Sequence, residues 1–298
     1  DYLVIQHMEP DHSASIPAFL KKYPKATVVS TAKGFQFMEQ FFPEFFAGQG
    51  LPAEQRIVAA NDGVLELGQH SLHFVYAPMV HWPEVMMTYE ATEKILFAAD
   101  GFGKFGALDV EEEWTDEARR YYIGIVGKYG PQVQAVLKKA AGLEIQTICS
   151  LHGPVLKENL GFYLEKYDKW SSYQPEESGV VIAYASVYGN TRNAAEYLAD
   201  VLQEKGQKTV LYDLARCDKA KAVADAFRYD RLVLAVITYN GDLFPCMRSF
   251  IEGLTERNYQ NRKVAIIENG TWAPMAGKLI LGMFEKSKNL TFTETTVS

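Results

Sequence analysis

Apolar and polar positions follow one rule in the second part of this chain and another in the first. From Val180 the pattern is regular. Val180–Ala185 is a short apolar run that ends in a polar loop containing a glycine. Thr191–Lys205 then places Ala194, Ala195, Leu198, Val201 and Leu202 at the spacing of one helix face. The same reading gives strand Lys208–Leu214, helix Ala220–Phe227, strand Arg231–Ile237 and helix Met247–Thr255. Strand Lys263–Glu268, helix Ala276–Lys286 and strand Thr291–Val297 complete the series. Strands that alternate with helices predict a doubly wound parallel sheet.

Residues before 170 are less regular. Strand Tyr2–Gln6 is followed by helix Ala14–Tyr23 (in spite of Pro17), strand Thr27–Ser30 and helix Lys33–Phe42. Five β runs come next: Arg56–Ala59, Gly63–Leu67, Leu72–Tyr76, Met86–Tyr89 and Ile95–Ala99. Helices are predicted over Asp116–Gly127 and Gln132–Ala141, and a strand over Thr147–Ser150. No element is predicted for residues 155–169. The polar segment from Trp170 to Gly179, with Pro175, separates the two patterns. Two domains are therefore expected, residues 1–170 and 179–298. A length of 298 residues agrees with that count at roughly 100–200 residues per domain.

Composition narrows the function. Hydrophobic residues make up 48% and charged residues 22%, so both halves can build cores. No apolar run reaches the ~20 residues of a membrane helix, and no signal peptide is visible. The net charge of −7 argues against nucleic acid as a partner. That charge is uneven. Residues 1–178 carry 15 Lys+Arg against 24 Asp+Glu, a balance of −9, and residues 179–298 carry 15 against 13, or +2. Cys149, Cys217 and Cys246 are far apart and form no CxxC, which excludes a cysteine-rich metal site and suggests reduced thiols. All six histidines lie at or before position 152, so a metal site is sought there.

The strongest chemical signal is His7-Met8-Glu9-Pro10-Asp11-His12, four ligand-capable side chains within six residues, just past an apolar strand. A strand end aims alternating residues such as His7 and Glu9 the same way. The following loop can turn Asp11 and His12 onto a second point, which suits a dinuclear site. Three more candidates stand at strand-to-loop junctions: His81, Asp100 and His152. Singly, each reads equally well as a buried hydrogen-bonded histidine or a turn carboxylate. His70 and His73 lie in or beside a strand, with no carboxylate next to them in sequence, and are read as non-ligands. Seven residues supply three terminal ligands to each of two metals plus one bridge. Imidazole and carboxylate without thiolate suit zinc, iron or manganese, and the high carboxylate share tilts the choice toward iron.

These residues resemble the metallo-β-lactamase-like domain of flavodiiron proteins. The phrases Ala77–Pro83 and Ala99–Gly103 strengthen the likeness, and Glu9 stands where hydrolases of that superfamily have a second histidine. Gly101 departs from the pattern, which has alanine after the bridging aspartate. The resemblance implies an αββα sandwich with one iron on His7, Glu9 and His81, another on Asp11, His12 and His152, and Asp100 between them. Trp82, Phe102 and Tyr89 are candidates to line the site, by sequence proximity.

The second half carries three loops at predicted strand C-termini, where open α/β sheets bind ligands. Ser186, Val187, Tyr188, Gly189, Asn190 and Thr191 suit a phosphate, with hydroxyls at both ends and a helix N-terminus behind. No lysine follows, so this is not a Walker loop, and the dinucleotide fingerprint is absent. Thr238, Tyr239, Asn240 and Gly241 form the second loop, and Asn269, Gly270, Thr271 and Trp272 the third. Tyr239 and Trp272 offer stacking faces. Together the loops resemble the FMN site of flavodoxin.

A flavodoxin behind such a metal domain is the flavodiiron arrangement. The resemblance implies a cytoplasmic enzyme with FMN and two irons that reduces dioxygen to water or nitric oxide to nitrous oxide. It implies a separate electron donor, such as a rubredoxin or a reductase, and a head-to-tail homodimer or a dimer of dimers. It also implies further strands in front of Asp1 and a further helix after Ser298. Two other readings stay open on the residues alone: a zinc hydrolase fused to a flavodoxin, and an electron-transfer flavoprotein whose metal domain is a scaffold.

Overall fold

A computed structural model describes residues 1–46, 51–294 and 296–297. It divides into two compact units, residues 1–118 with 131–168, and residues 119–130 with 169–298.

The first unit opens with β1 (Tyr2–Val4), α1 (Pro10–Ser13), α2 (Ile16–Lys22), β2 (Thr27–Ser30), α3 (Ala32–Phe41), α4 (Pro43–Phe46) and β3 (Arg56–Val58). Next come β4 (Val64–Glu66), β5 (Ser71–Tyr76), β6 (Met86–Glu90) and β7 (Ile95–Phe97). The residues of α5 (Trp114–Ile125) divide between the units. α6 (Gly130–Ala140), β8 (Thr147–Cys149) and α7 (Leu160–Ser171) follow.

β1, β2 and β3 form a parallel sheet, and β4 to β8 form a second sheet in sequence order. Pairing in that second sheet is antiparallel from β4 to β7 and parallel between β7 and β8. Strand periodicity builds the layers. On β2, Val28 packs with Ile16, Leu20, Phe35 and Met38 of α2 and α3, while its neighbour Val29 packs with Leu72, Phe74 and Met86 of the second sheet. Two apolar layers thus lie on opposite faces of one strand, as a sandwich with an outer helix layer requires.

Local chemistry sets the helix ends. Thr31 Oγ1 accepts the Gly34 N–H at 3.0 Å and caps α3. The helix predicted over Ala14–Tyr23 is α2, and the unpredicted one-turn helix α1 precedes it. Pro10 opens α1 and Pro17 falls in the first turn of α2, both places where the missing N–H costs nothing. Asp11 and His12 therefore ride on a one-turn helix, not on a loop. α7 occupies the stretch without a predicted element. Its Leu160, Leu164 and Tyr167 keep helical spacing, but Phe162 and Tyr163 between them blur the period.

The second unit contains β9 (Glu177–Ala185), α8 (Asn190–Glu204), β10 (Thr209–Asp213), α9 (Lys219–Arg228) and β11 (Tyr229–Tyr239). β12 (Asp242–Leu243), α10 (Pro245–Thr255), β13 (Arg262–Asn269), α11 (Ala276–Met283) and β14 (Leu290–Phe292) complete it. The parallel order is β10-β9-β11-β13-β14, with β12 antiparallel to the end of β11. Renumbered within the unit this is 2-1-3-4-5, the doubly wound flavodoxin-like order. The last strand is shorter than its predicted span, although Val297 still pairs with Ile267. Asp218 caps α9 by accepting the Ala220 N–H at 2.8 Å.

Candidate functional site

All seven candidate ligands meet at one edge of the first unit. Ile5 N–H still donates to Val29 C=O, so sheet pairing carries the chain to the brink of His7. His81 sits in the turn after β5, closed by Met79 N–H to Trp82 C=O. Asp100 sits in the turn after β7, and His152 follows β8. Leu151 N–H donates to Ala99 C=O, which ties those two strand ends together.

Asp100 lies at the centre, 1% exposed, and its two oxygens face two different groups. Oδ2 lies 3.1 Å from His81 Nε2 and 3.4 Å from His7 Nε2. Glu9 Oε2 completes that side, 3.0 Å from His81 Nε2 and 3.3 Å from His7 Nε2. Oδ1 lies 3.1 Å from His12 Nε2 and 3.6 Å from His152 Nε2. Asp11 Oδ2 completes the other side, 3.5 Å from His12 Nε2 and 3.3 Å from His152 Nε2. Four imidazole nitrogens and three carboxylates thus fall into two sets that share one carboxylate. The ligand atoms of His7, Glu9, His12 and Asp100 all lie within 4.8 Å of one another, as do those of Asp11, His12 and His152.

Hydrogen bonds satisfy the side of Glu9 and His81 but not the other. His12 Nε2 and Asp100 Oδ1 are buried, and neither has a hydrogen-bond partner. Buried polar atoms are almost always satisfied, so two orphans facing one point mark a place for a cation. The donor set suits a hard or borderline divalent metal. Protonation tells the same story. Burial alone would lower the His7 imidazole, but hydrogen bonds and charge from Asp100 and Glu84 outweigh it and hold it at about 9. Burial would raise the Asp100 carboxyl, yet His12, His7 and His81 hold it far below the carboxylate range.

Glu84 is a functional residue that the sequence reading misses. It is 2% exposed, and its Oε1 accepts from His7 Nδ1 at 2.7 Å and from the Met8 N–H at 2.9 Å. This fixes the His7 tautomer and turns Nε2 toward Asp100. The signal was a lone carboxylate between Pro83 and the apolar run Val85-Met86-Met87. Trp82 packs edge-on to the His7 ring at 5.3 Å, as a lining residue should. Phe102 packs on Tyr167 at 4.3 Å. Tyr89 is spent elsewhere: it lies on β6 and its hydroxyl donates to Glu144 C=O. His70 and His73 stay outside the cluster, but His70 does face a carboxylate. The β5–β6 pairing brings Glu90 Oε1 to 3.1 Å from His70 Nδ1, a neighbour that is remote in sequence.

The three loops of the second unit also come together. They leave the C-terminal ends of β9, β11 and β13, which are adjacent strands. Asn269 Nδ2 donates to Thr191 Oγ1 at 3.3 Å, joining the first loop to the third. Thr238 Oγ1 accepts from Met275 N–H at 2.9 Å and joins the second to the third. Gly189 has φ of 94°, a left-handed value that glycine reaches without strain, and precedes α8 with no side-chain cap. Its own N–H turns back to Ser186 Oγ at 3.1 Å. The first-turn N–H groups of α8 are thereby left for an anion. Asn190 begins α8, and Thr191 is buried beneath it. Asn240 and Gly241 both take positive φ, 52° and 72°, as the two-residue turn between β11 and β12. Gly270 lies close to Thr238 Oγ1 and Pro274. Around this cradle Val187, Tyr188, Tyr239, Thr271 and Trp272 are exposed, with Tyr188 at 93% and Trp272 at 79%. Large aromatic faces left bare beside an anion cradle fit a planar ring with a phosphate tail.

A β-lactamase-like sandwich with a two-metal carboxylate–histidine cluster, followed by a flavodoxin fold, defines the class. Residues 1–153 match the family described as ODP family beta lactamase, and residues 182–286 match Flavodoxin. A putative diflavin flavoprotein of Synechocystis is 32% identical over 73% of this chain, which spans 38% of that relative's length. A nitric oxide reductase of Moorella thermoacetica is 27% identical over 94% of this chain and 70% of its own. The rubredoxin oxygen:oxidoreductase of Desulfovibrio gigas shares the fold, with a TM-score of 0.86, 23% identity, and coverage of 99% of this chain and 76% of that one. The chain belongs to the ODP beta-lactamase family and, with its flavodoxin unit, to the flavodiiron proteins.

Proposed function

We propose that the chain is an oxidoreductase that reduces dioxygen to water, nitric oxide to nitrous oxide, or both. The observation that carries this reading is Asp100, shared between two histidine–carboxylate sets in a chain that also holds a flavodoxin fold. His7, Glu9 and His81 would hold one iron and Asp11, His12 and His152 the other, with Asp100 bridging. FMN would sit on the three loops. When bound, the irons offer adjacent open positions to a gas and the flavin supplies electrons.

The protein's own residues do the positioning. Glu84 orients His7, and Trp82 shields that ring from water. The Gly189 turn and the first turn of α8 hold the flavin phosphate, while Tyr239 and Trp272 offer stacking faces to the ring. The reading extends to a cytoplasmic head-to-tail homodimer, or a dimer of dimers, fed by a rubredoxin or a reductase. The excess of positive charge in residues 179–298 supports docking of a small acidic donor there. Among the described residues, no helix is long and apolar enough to cross a membrane.

Consumption of each gas, measured side by side with one purified rubredoxin, tests the reaction. At least one gas should be consumed with turnover, and His81→Ala should lose that activity. Unchanged consumption in His81→Ala would leave an electron-transfer flavoprotein instead.

A further inference from the structure

The sandwich is not closely packed behind the metal cluster. A cavity of about 20 Å³ lies between the second sheet and the helices α6 and α7. Its sheet side is Met87 and Leu96, and its helix side includes Val133, Val136 and Tyr167. Its end wall is Val80, Gly101 and Phe102. Val80 precedes His81 in the chain, and Gly101 follows Asp100. A larger groove of about 290 Å³ lies on the outer side, reaching Leu143, Ile148 and Leu160. Leu137, Ala140, Ile145 and Leu164 line both, so the two spaces share a wall.

We propose that this groove and cavity form an apolar conduit that binds dioxygen or nitric oxide and delivers it to the metal cluster. The inference rests on the gas-reducing reading above and adds a route and a holding site to it. A cavity needs roughly 10–15 Å³ to take one water-sized molecule, so this one holds a single diatomic molecule. The surface that its walls present is apolar. The hydroxyl of Tyr167 accepts the Phe102 N–H at 2.6 Å. Dry apolar cavities of this type take up small nonpolar solutes. Gly101 helps keep the end wall open. A Cβ at that position would stand 2.9 Å from Ala98 C=O and 3.1 Å from Met87 Cε, so it would press on the methionine that lines the cavity.

Ala140 sits on the shared wall at the last turn of α6, away from every proposed ligand. The test uses the iron- and FMN-loaded chain and its Ala140→Trp variant, with Lys138→Trp as an exposed control on the same helix. Xenon under pressure should occupy the cavity in the wild type and in the control but not in Ala140→Trp. The plugged variant should show a several-fold lower kcat/KM for both gases. Its kcat at saturating gas, its iron and FMN content and its rate of flavin reduction by the donor should not change. If Ala140→Trp fails to fold, Ala140→Leu is measured the same way. No xenon in the wild-type cavity, or an unchanged kcat/KM once xenon is excluded, overturns the conduit. A wild type that consumes neither gas overturns the reaction itself, which the xenon result does not address.

Discussion

Glu84 shows how one buried carboxylate organises a site it does not enter. It accepts from the His7 ring and from the main chain of Met8, so it fixes both the imidazole and the turn that leads to Glu9 and Asp11. Glu84→Gln keeps the shape but loses the charge that favours the oriented His7. We expect metal affinity to fall by about 10–100-fold, with the chain still folded. Competition with a chelator measures it, and an affinity equal to the wild type would reduce Glu84 to a packing residue. The seven candidate ligands were legible together, because four ligand-capable side chains fall within six residues and three more stand at strand-to-loop junctions of the same half. Glu84 was not, because its meaning depends on the fold that brings positions 7 and 84 together. The same limit hid the His70–Glu90 pair, which exists only across two strands.

At the scale of elements, the end of β6 depends on Glu90. Burial would raise its carboxyl, but the N–H groups of Glu93 and Thr92 and the ring of His70 outweigh that and hold it at about 2. A carboxyl depressed in the folded state stabilises fully above its unfolded value and loses that contribution as pH falls through the folded one. Between about pH 4.5 and 2 the wild type should therefore lose stability more steeply than Glu90→Gln, and above that window it should be the more stable of the two. Urea midpoints across the range check this, and parallel curves would contradict it. Most strands and helices were legible from periodicity. The exceptions have local causes. The one-turn helix that opens at Pro10 is too short to show a period, so it read as a loop. In α7, aromatic residues stand both on and off the buried face, so no clean period survives. The Asn240-Gly241 turn, in contrast, announces itself, since both residues tolerate the positive φ that a tight hairpin needs.

At the scale of the molecule, each unit brings residues that are far apart in sequence to one edge. In the first, strand ends carry His7, Asp100 and His152 to a common point. In the second, three βα loops make one cradle. The alternation of strands and helices was enough to expect the second fold, whereas the sandwich and the partition of the ligands around Asp100 were implied by the family resemblance, and the coordinates add the distances on each side of Asp100. Charge divides the molecule as well, and it bears on the donor. If an acidic rubredoxin is steered to the basic second half, its rate of flavin reduction should fall steadily as salt rises. A rate indifferent to salt would remove electrostatic steering from the account.

The central claim is that the seven residues around Asp100 hold iron for redox chemistry. Metal content of the purified chain, counted per chain beside that of Asp100→Asn, tests it most directly. The account predicts about two irons in the wild type and a clear loss when the shared carboxylate is replaced. Two zincs in the wild type, unchanged by growth in iron-rich medium, would contradict it and point to the hydrolytic chemistry of the same fold.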